Sequence, residues 1–314
     1  MNLSTQTWEL CRRFGDEKAM AMLAAAGYDA VDYSLFAMQE VTHPLLDDDD
    51  AVSREHALRI RRIVEENGMT VNQTHSPFAF PGKWHDMDAF YGYIAPRIEK
   101  SVRIAAILGA RCIVVHPLPH CLSVQKGSPE AARKMSIDFL RSLKPAAERN
   151  GIRIAVENVW DFDKLRQRPV KNICCSGAED IISCLEELDD EKIYTACLDV
   201  GHCGLVCEEA PDVIRRVGSK RITALHIQDN NYIEDWHTLP GMGKMDWDAV
   251  MKALAETGYT GEFTFEADRF LTRYDDEFVG EAATFMAKVG RMLIGKFDRY
   301  RAEFVSKKGS GDPN

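Results

Sequence analysis

No run of about 18 apolar residues, the length a helix needs to cross a bilayer, occurs in the 314-residue chain. Nor does a charged-then-apolar leader stand at Met1-Asn2-Leu3-Ser4, so no signal peptide or membrane partner is expected and the cytoplasm is the expected compartment. Positive charge is scarce: 39 Lys and Arg against 49 Asp and Glu leave a net charge of −10. An acidic chain repels phosphate polyanions at long range, which disfavours nucleic acid as a partner unless a strong basic patch gathers locally. Paired cysteine spacings are missing too. The nine cysteines are odd in number and mostly sit inside apolar runs, and Cys203-Gly-Leu-Val-Cys207 has no matching second pair. That pattern suits reduced, buried thiols better than a disulfide framework or a structural zinc site. Finally, no glycine-rich dinucleotide fingerprint follows the first strand-like run, which argues against a doubly wound nucleotide-binding sheet.

What the chain does have is a repeated unit. Hydrophobic residues make up 45% and charged residues 28%, the composition of a globular protein with a sizeable core. Strand-like runs at Asn2 to Thr7, Tyr28 to Ser34, Thr70 to His75, Cys112 to His116, Arg153 to Asn158, Tyr194 to Val200, Ile222 to Ile227 and Phe263 to Glu266 alternate with helix-like ones. The predicted helices are Asp16 to Ala26 closed by Gly27, Ser53 to Asn67, Asp88 to Leu108 closed by Gly109, Ser128 to Asn150, Gly177 to Leu188, Pro211 to Val217, Asp246 to Thr257 and Asp276 to Arg301. Ser53 and Asp246 are read as helix caps, and Asp47 to Asp50 as a solvated acidic loop. Eight such units predict an α/β fold, a single (β/α)₈ barrel over residues 1–301, with a polar, frayed tail at 302–314.

Six of these strand-like runs finish in a His, Asp or Glu: at His75, His116, Glu157, Asp199, His226 and Glu266. His202 follows closely behind Asp199, and Asp235 and His237 stand in the stretch after His226. A barrel gathers strand ends from distant parts of the sequence at one face. So many carboxylates in one pocket would repel one another and take up protons unless a cation neutralised them, so a divalent metal is expected. Glu157, Asp199, His226 and Glu266 are the expected ligands: three carboxylates and one imidazole, a hard set suited to Mn²⁺ first, with Mg²⁺, Co²⁺ and Zn²⁺ as alternatives. Four ligands leave positions open for two oxygens of a hydroxyketone, where the metal polarises the carbonyl and acidifies the neighbouring C–H. Aromatic residues near the strand ends, Phe78 and Trp84 in one loop and Trp160 in another, are expected to cover the apolar face of a sugar. After Trp160, Lys164, Arg166, Arg168 and Lys171 are read either as an anion-binding loop or as a solvated or dimer-contact loop.

Several stretches carry a family resemblance: Ala155-Val-Glu157-Asn158, Cys197-Leu-Asp199-Val-Gly-His202, Leu225-His226-Ile-Gln-Asp229, Pro240-Gly-Met-Gly243-Lys-Met-Asp246-Trp247 and Phe265-Glu266. In these the chain resembles the xylose-isomerase-like TIM barrel superfamily of sugar isomerases, ketose 3-epimerases, inosose dehydratases and endonuclease IV, from Asn2 to about Arg301. The resemblance to the epimerases implies a metal-dependent isomerase or epimerase of carbohydrate metabolism. In it Glu157 and Glu266 are ligands and also the acid/base pair about a metal-bound enediolate, and His202 binds substrate oxygen near the developing charge. Where those epimerases carry an Arg after strand seven, this chain has Asp235-Trp-His237. His75, His116, His202, Asp235 and His237 match instead the additional ligands of endonuclease IV, which implies as an alternative a phosphodiesterase acting on abasic DNA. A third reading within the superfamily is metal-assisted elimination on an oxidised sugar, inosose or C-glycoside. The expected substrate is a small carbohydrate, and the expected protein partners are further copies of the chain or a small partner subunit.

Overall fold

A computed structural model of the chain describes residues 1–36, 42–78, 87–118 and 128–309. Short strands buried along nearly their whole length form its centre: β1 (Leu3–Gln6), β2 (Ala30–Ser34), β3 (Thr70–His75), β4 (Cys112–Val115), β5 (Arg153–Glu157), β8 (Tyr194–Asp199), β9 (Ile222–His226) and β10 (Phe263–Phe265). They hydrogen-bond in the order β10-β1-β2-β3-β4-β5-β8-β9, all parallel. The ring closes through a parallel bridge between Ile227 and Phe265, with Ile227 N donating to Thr264 O at 2.9 Å and Glu266 N to Ile227 O at 3.0 Å. The predicted (β/α)₈ barrel is therefore the fold, and strands buried on both faces explain the unbroken apolar character of runs such as Cys112-Ile-Val-Val115.

Register decides what points into the barrel. Glu157 on β5 lies opposite Cys197 on β8, and Asp199 on β8 opposite His226 on β9. Side chains on a strand alternate between faces, so Cys197 and Asp199 point the same way. Below the strand ends, Cys112, Val114, Ala155, Cys197 and Ala224 form a small apolar layer inside the barrel. Deeper still the interior is polar but bonded: Ser4 Oγ donates to Asn72 Oδ1 at 2.7 Å, and Asn72 Nδ2 to Thr264 Oγ1 at 3.0 Å.

The helices follow the expected order with several corrections; the expected helix Ser128 to Asn150 is two, Pro129–Ser142 and Lys144–Asn150, and Asp88 to Leu108 is divided by a wider turn at Phe90–Ile94. The first runs from Trp8 to Ala26, starting before the expected Asp16, with a kink at Gly15 (φ 73°, ψ 168°) just ahead of that residue. The second long helix spans Asp50–Glu66 and is capped by Asp49, whose side chain accepts from the backbone of Ala51 and Val52, not by Ser53, whose hydroxyl donates to Pro44 O and Asp48 O. Nor are Asp47 to Asp50 a merely solvated loop: Asp47 ends the short helix Pro44–Asp47 and pairs with Arg97, and Asp50 pairs with Arg103. Residues 160–171 form an antiparallel hairpin, β6 (Trp160–Asp163) and β7 (Arg168–Lys171). Its cations are partly spoken for, because Lys171 Nζ meets Glu208 Oε1 at 2.5 Å and Arg166 Nη1 meets Asp163 Oδ2 at 2.8 Å. The last helix, Val279–Gly309, continues past the expected end at Arg301. The described cysteines are all free, as expected; Cys121 lies outside the described residues. Among the described residues no helix is long and apolar enough to cross a membrane.

Candidate metal centre

All nine polar residues expected to face one pocket are found at one end of the barrel. His75, Glu157, Asp199 and His226 end β3, β5, β8 and β9, while His116 and Glu266 stand one residue beyond β4 and β10. Glu157 is central. Its Oε2 lies 3.2 Å from His75 Nε2, 3.1 Å from His116 Nε2 and 3.4 Å from His226 Nδ1, and its Oε1 lies 3.5 Å from His202 Nδ1. Glu266 Oε2 is 3.1 Å from His226 Nδ1 and 3.7 Å from His237 Nδ1. Asp235 Oδ2 joins His237 Nε2 at 3.0 Å and His202 Nε2 at 3.5 Å.

The backbone sets the imidazoles. Nδ1 of His75 faces Ser76 O at 2.8 Å, Nδ1 of His202 faces Asn158 O at 2.8 Å, and Nδ1 of His237 faces Glu266 O at 3.0 Å. A carbonyl only accepts, so each Nδ1 carries the hydrogen and each Nε2 is turned, as a lone pair in the neutral ring, toward the carboxylates. His226 is the reverse case: its Nε2 faces Asp32 Oδ2 at 3.3 Å, which leaves Nδ1 for the pocket. Asp199 is aimed by a cap. Its Oδ1 accepts from His202 N at 2.9 Å at the start of the helix Val200–Leu205, so its other oxygen points into the site.

Three buried atoms there have no hydrogen-bond partner: Asp199 Oδ2, His226 Nδ1 and Glu266 Oε2. The 3.1 Å between His226 Nδ1 and Glu266 Oε2 is a close approach without hydrogen-bond alignment. Unpaired buried polar atoms are costly, and atoms turned toward a common point instead of toward one another are what ligands of a shared cation look like. Glu157, Asp199, His226 and Glu266 offer donor atoms all within 4.8 Å of one another, so the donor set fits a divalent ion. Four further groups meet the same condition: His75 with His116 and Glu157, His202 with Asp235 and His237, His75 with His226 and Glu266, and Glu157 with Cys197 and His226.

Of the three carboxylates in the expected ligand set only Asp199 is pushed toward protonation, and imidazoles hold the other two down. Burial, reinforced by the charges of Glu266 and Glu157 and opposed by His202, raises Asp199 to about 7. Burial also pushes Glu266 up, but His226 and His237 overcome it and hold the carboxyl at about 2. Glu157 likewise falls well below the usual range because His226 and His116 outweigh its burial. Burial lowers His202, yet Asp199 and Asp235 carry it to about 10. Without a cation, imidazole protons do the neutralising.

Sequence reasoning missed several supporting residues. Asp32, 1% exposed in the middle of β2, holds His226 and accepts from Gln73 Nε2 at 2.9 Å. Gln228 Nε2 donates to Asp235 Oδ1 at 2.6 Å, and Gly201 makes room for it, since a Cβ there would stand 2.4 Å from Gln228 Cδ. Of the aromatics, Phe78 stacks on His116 with ring centroids 4.4 Å apart, and Trp160 Nε1 donates to Asp235 Oδ2 at 3.4 Å. Trp84 lies outside the described residues.

The xylose isomerase-like TIM barrel family model matches residues 20–288. The chain belongs to that family. Among the proteins similar to this chain, a D-psicose 3-epimerase of Enterocloster bolteae is 21% identical over 80% of this chain and 76% of its own length. An uncharacterized Sinorhizobium fredii protein is 34% identical over 33% of each chain, and an uncharacterized Mycobacterium leprae protein is 29% identical over 54% of this chain and 61% of its own. The matches to these last two thus span about a third and three-fifths of the relatives' length. Solved structures of the same fold include an L-ribulose 3-epimerase (TM-score 0.72, 18% identity, 99% of each chain covered). An IOLI protein with a bound zinc atom has TM-score 0.67 and 17% identity, covering 96% of this chain and 99% of its own.

Proposed function

We propose that the chain is a divalent-metal-dependent sugar isomerase or epimerase, moving a proton next to a carbonyl. The observation that carries this reading is the pair Glu157 and Glu266, both converging on His226 Nδ1, at 3.4 and 3.1 Å. A divalent ion, bound by Glu157, Asp199, His226 and Glu266, would supply Lewis-acid polarisation of the carbonyl, with Mn²⁺ the first choice. One glutamate takes the proton from the carbon beside the carbonyl, giving an enediolate, and the other returns a proton; delivery to the opposite face makes the reaction an epimerisation. His202, held by Asn158 O, presents Nε2 toward the pocket for a substrate oxygen that gains charge. Phe78 and Trp160 wall the same pocket and suit the apolar face of a small carbohydrate. The names of the psicose and ribulose epimerases similar to this chain support the substrate class.

The second reading, hydrolysis of a phosphodiester by a cluster of ions, is favoured by one specific observation: beside the set around Glu157, Asp199, His226 and Glu266 stand the groups His75, His116 and Glu157 and His202, Asp235 and His237. The net charge of −10 opposes a polyanionic substrate. Ketose turnover with Mn²⁺, set against cleavage of an abasic-site duplex, decides between them. Bound metal measured per chain gives an independent answer, one ion for proton transfer and three for the hydrolase. An unsaturated product in the ketose assay would identify elimination instead.

A further inference from the structure

The last helix carries a row of side chains that the barrel does not use. Phe278, in the turn that opens it, Phe285 and Met292 are 52%, 52% and 55% exposed, while Ala282, Met286, Ala287 and Leu293 face the core. Positions seven apart on a helix drift by only about 20°, so these three form one straight stripe on the outer side. Beside it Phe270, Tyr274, Phe278 and Phe285 wall a groove of about 490 Å³, their rings linked at 5.3 Å (Phe270–Tyr274), 5.4 Å (Tyr274–Phe278) and 6.3 Å (Phe270–Phe285). Scattered exposed apolar residues are ordinary; a contiguous stripe with an aromatic groove marks an interaction surface.

The charges along the stripe say what covers it. Asp275, Asp276, Glu277 and Glu281 precede Phe285, and Lys288, Arg291, Lys296, Arg299 and Arg301 follow it, with Asp298 the one acid among residues 288–301. Some of these already have partners: Asp276 meets Arg13, Arg291 meets Asp29, and Lys296 meets Asp248. Glu281 and Lys288 are exposed and line the groove. A second helix of the same sequence laid parallel would set acid on acid and base on base. Laid antiparallel about Phe285, it sets Phe278 opposite Met292 of the second copy, Phe285 against itself, and Glu281 beside Lys288. This self-complementarity about a single residue is the property of a two-fold interface, in which one patch serves both subunits.

We propose that the outer face of the helix Val279–Gly309, with Phe278, Phe285 and Met292, is the contact of an antiparallel homodimer whose two-fold axis passes at Phe285. It does not depend on the reaction assigned above. Sedimentation equilibrium of the full chain at micromolar concentration is expected to give twice the 35.4 kDa of one chain. Phe285→Glu, which sets two like charges at the axis, is expected to return the mass of one chain with an unchanged circular dichroism spectrum. Glu281→Lys should weaken the dimer and the double variant Glu281→Lys, Lys288→Glu should restore it. With the exposed Cys207 changed to Ser, Phe285→Cys should give a disulfide-linked dimer on mild oxidation, since such a bond requires Cα atoms within about 7 Å. A wild-type chain that stays monomeric, a dimer that survives Phe285→Glu, or a charge swap that restores nothing would overturn the proposal.

Discussion

Asp32 Oδ2 stands 3.3 Å from His226 Nε2, and Gln73 Nε2 donates to the same oxygen at 2.9 Å. With Nε2–H held by a carboxylate that only accepts in its ionised form, the lone pair of His226 is fixed on Nδ1, the atom that faces Glu157 and Glu266. Partners of this kind orient a ligand and raise its basicity, and losing one typically costs about 10- to 100-fold in metal affinity. Asp32→Asn is therefore expected to weaken Mn²⁺ binding by about that factor while the circular dichroism spectrum stays unchanged. Calorimetric titration that finds wild-type affinity would remove Asp32 from this role.

Glu266→Gln keeps the side chain's size and removes its ability to accept a proton. General acid–base groups contribute about 10²- to 10⁴-fold, so kcat at saturating Mn²⁺ is expected to fall by at least about 100-fold, with little change in fold. The metal affinity of the variant must be measured alongside, because Glu266 is also an expected ligand. Full turnover of the active sugar by the variant would refute the proton-transfer role.

Adding a divalent ion should stabilise the fold. A ligand at about 100 times its dissociation constant adds roughly 2.7 kcal/mol when it binds only the native state. A rise of several degrees in melting temperature with Mn²⁺, reversed by a chelator, is the expected result of differential scanning fluorimetry. An unchanged melting temperature at millimolar Mn²⁺ would count against the metal centre.

The barrel and the placing of most candidate site residues at one end of it were legible because both are written in short-range pattern: an apolar run, a polar terminal residue, then a helix. Glu157, Asp199 and His226 each end a strand, and that position alone carries their side chains to the shared face. Asp32 was not legible, since nothing local distinguishes a buried carboxylate in mid-strand from a solvated one at an edge. The partners of Asp47 and Asp50, Arg97 and Arg103, lie on a helix far along the chain, so their ion pairs have no local signature. The hairpin was hidden for a similar reason. Its two strands are charged and half-exposed, and Gln167, at φ 51°, makes the turn without a glycine.

Gly201 separates Asp199 from His202, and its missing side chain is occupied space. A Cβ there would come within 2.4 Å of Gln228 Cδ, whose amide holds Asp235 at 2.6 Å and approaches Asp199 at 3.4 Å. Gly201→Ala should displace Gln228 and free both carboxylates, at a cost of about 1–3 kcal/mol in stability for the overpacking. Urea unfolding and Mn²⁺ titration should both register the change. Wild-type values in both would show that Gln228 swings aside freely.

Glu208 offers a pH test well away from the carboxylate cluster. It joins the hairpin to the following helix: Oε1 meets Lys171 Nζ at 2.5 Å, and Oε2 accepts from Ala178 N at 2.9 Å at the start of the helix Ala178–Leu188. Burial raises its pKa, but the Ala178 N–H and the Lys171 ammonium outweigh that and leave it below the usual range. A carboxyl whose folded pKa is depressed adds stability that is complete above its unfolded pKa and disappears as the pH falls through the folded one. Glu208→Gln should accordingly be less stable than the wild type at neutral pH, and the difference should shrink as the solution is acidified below the ordinary glutamate range. Urea midpoints for the two proteins across that range measure it, and a difference that stayed constant with pH would show that the side chain contributes by packing and not by charge.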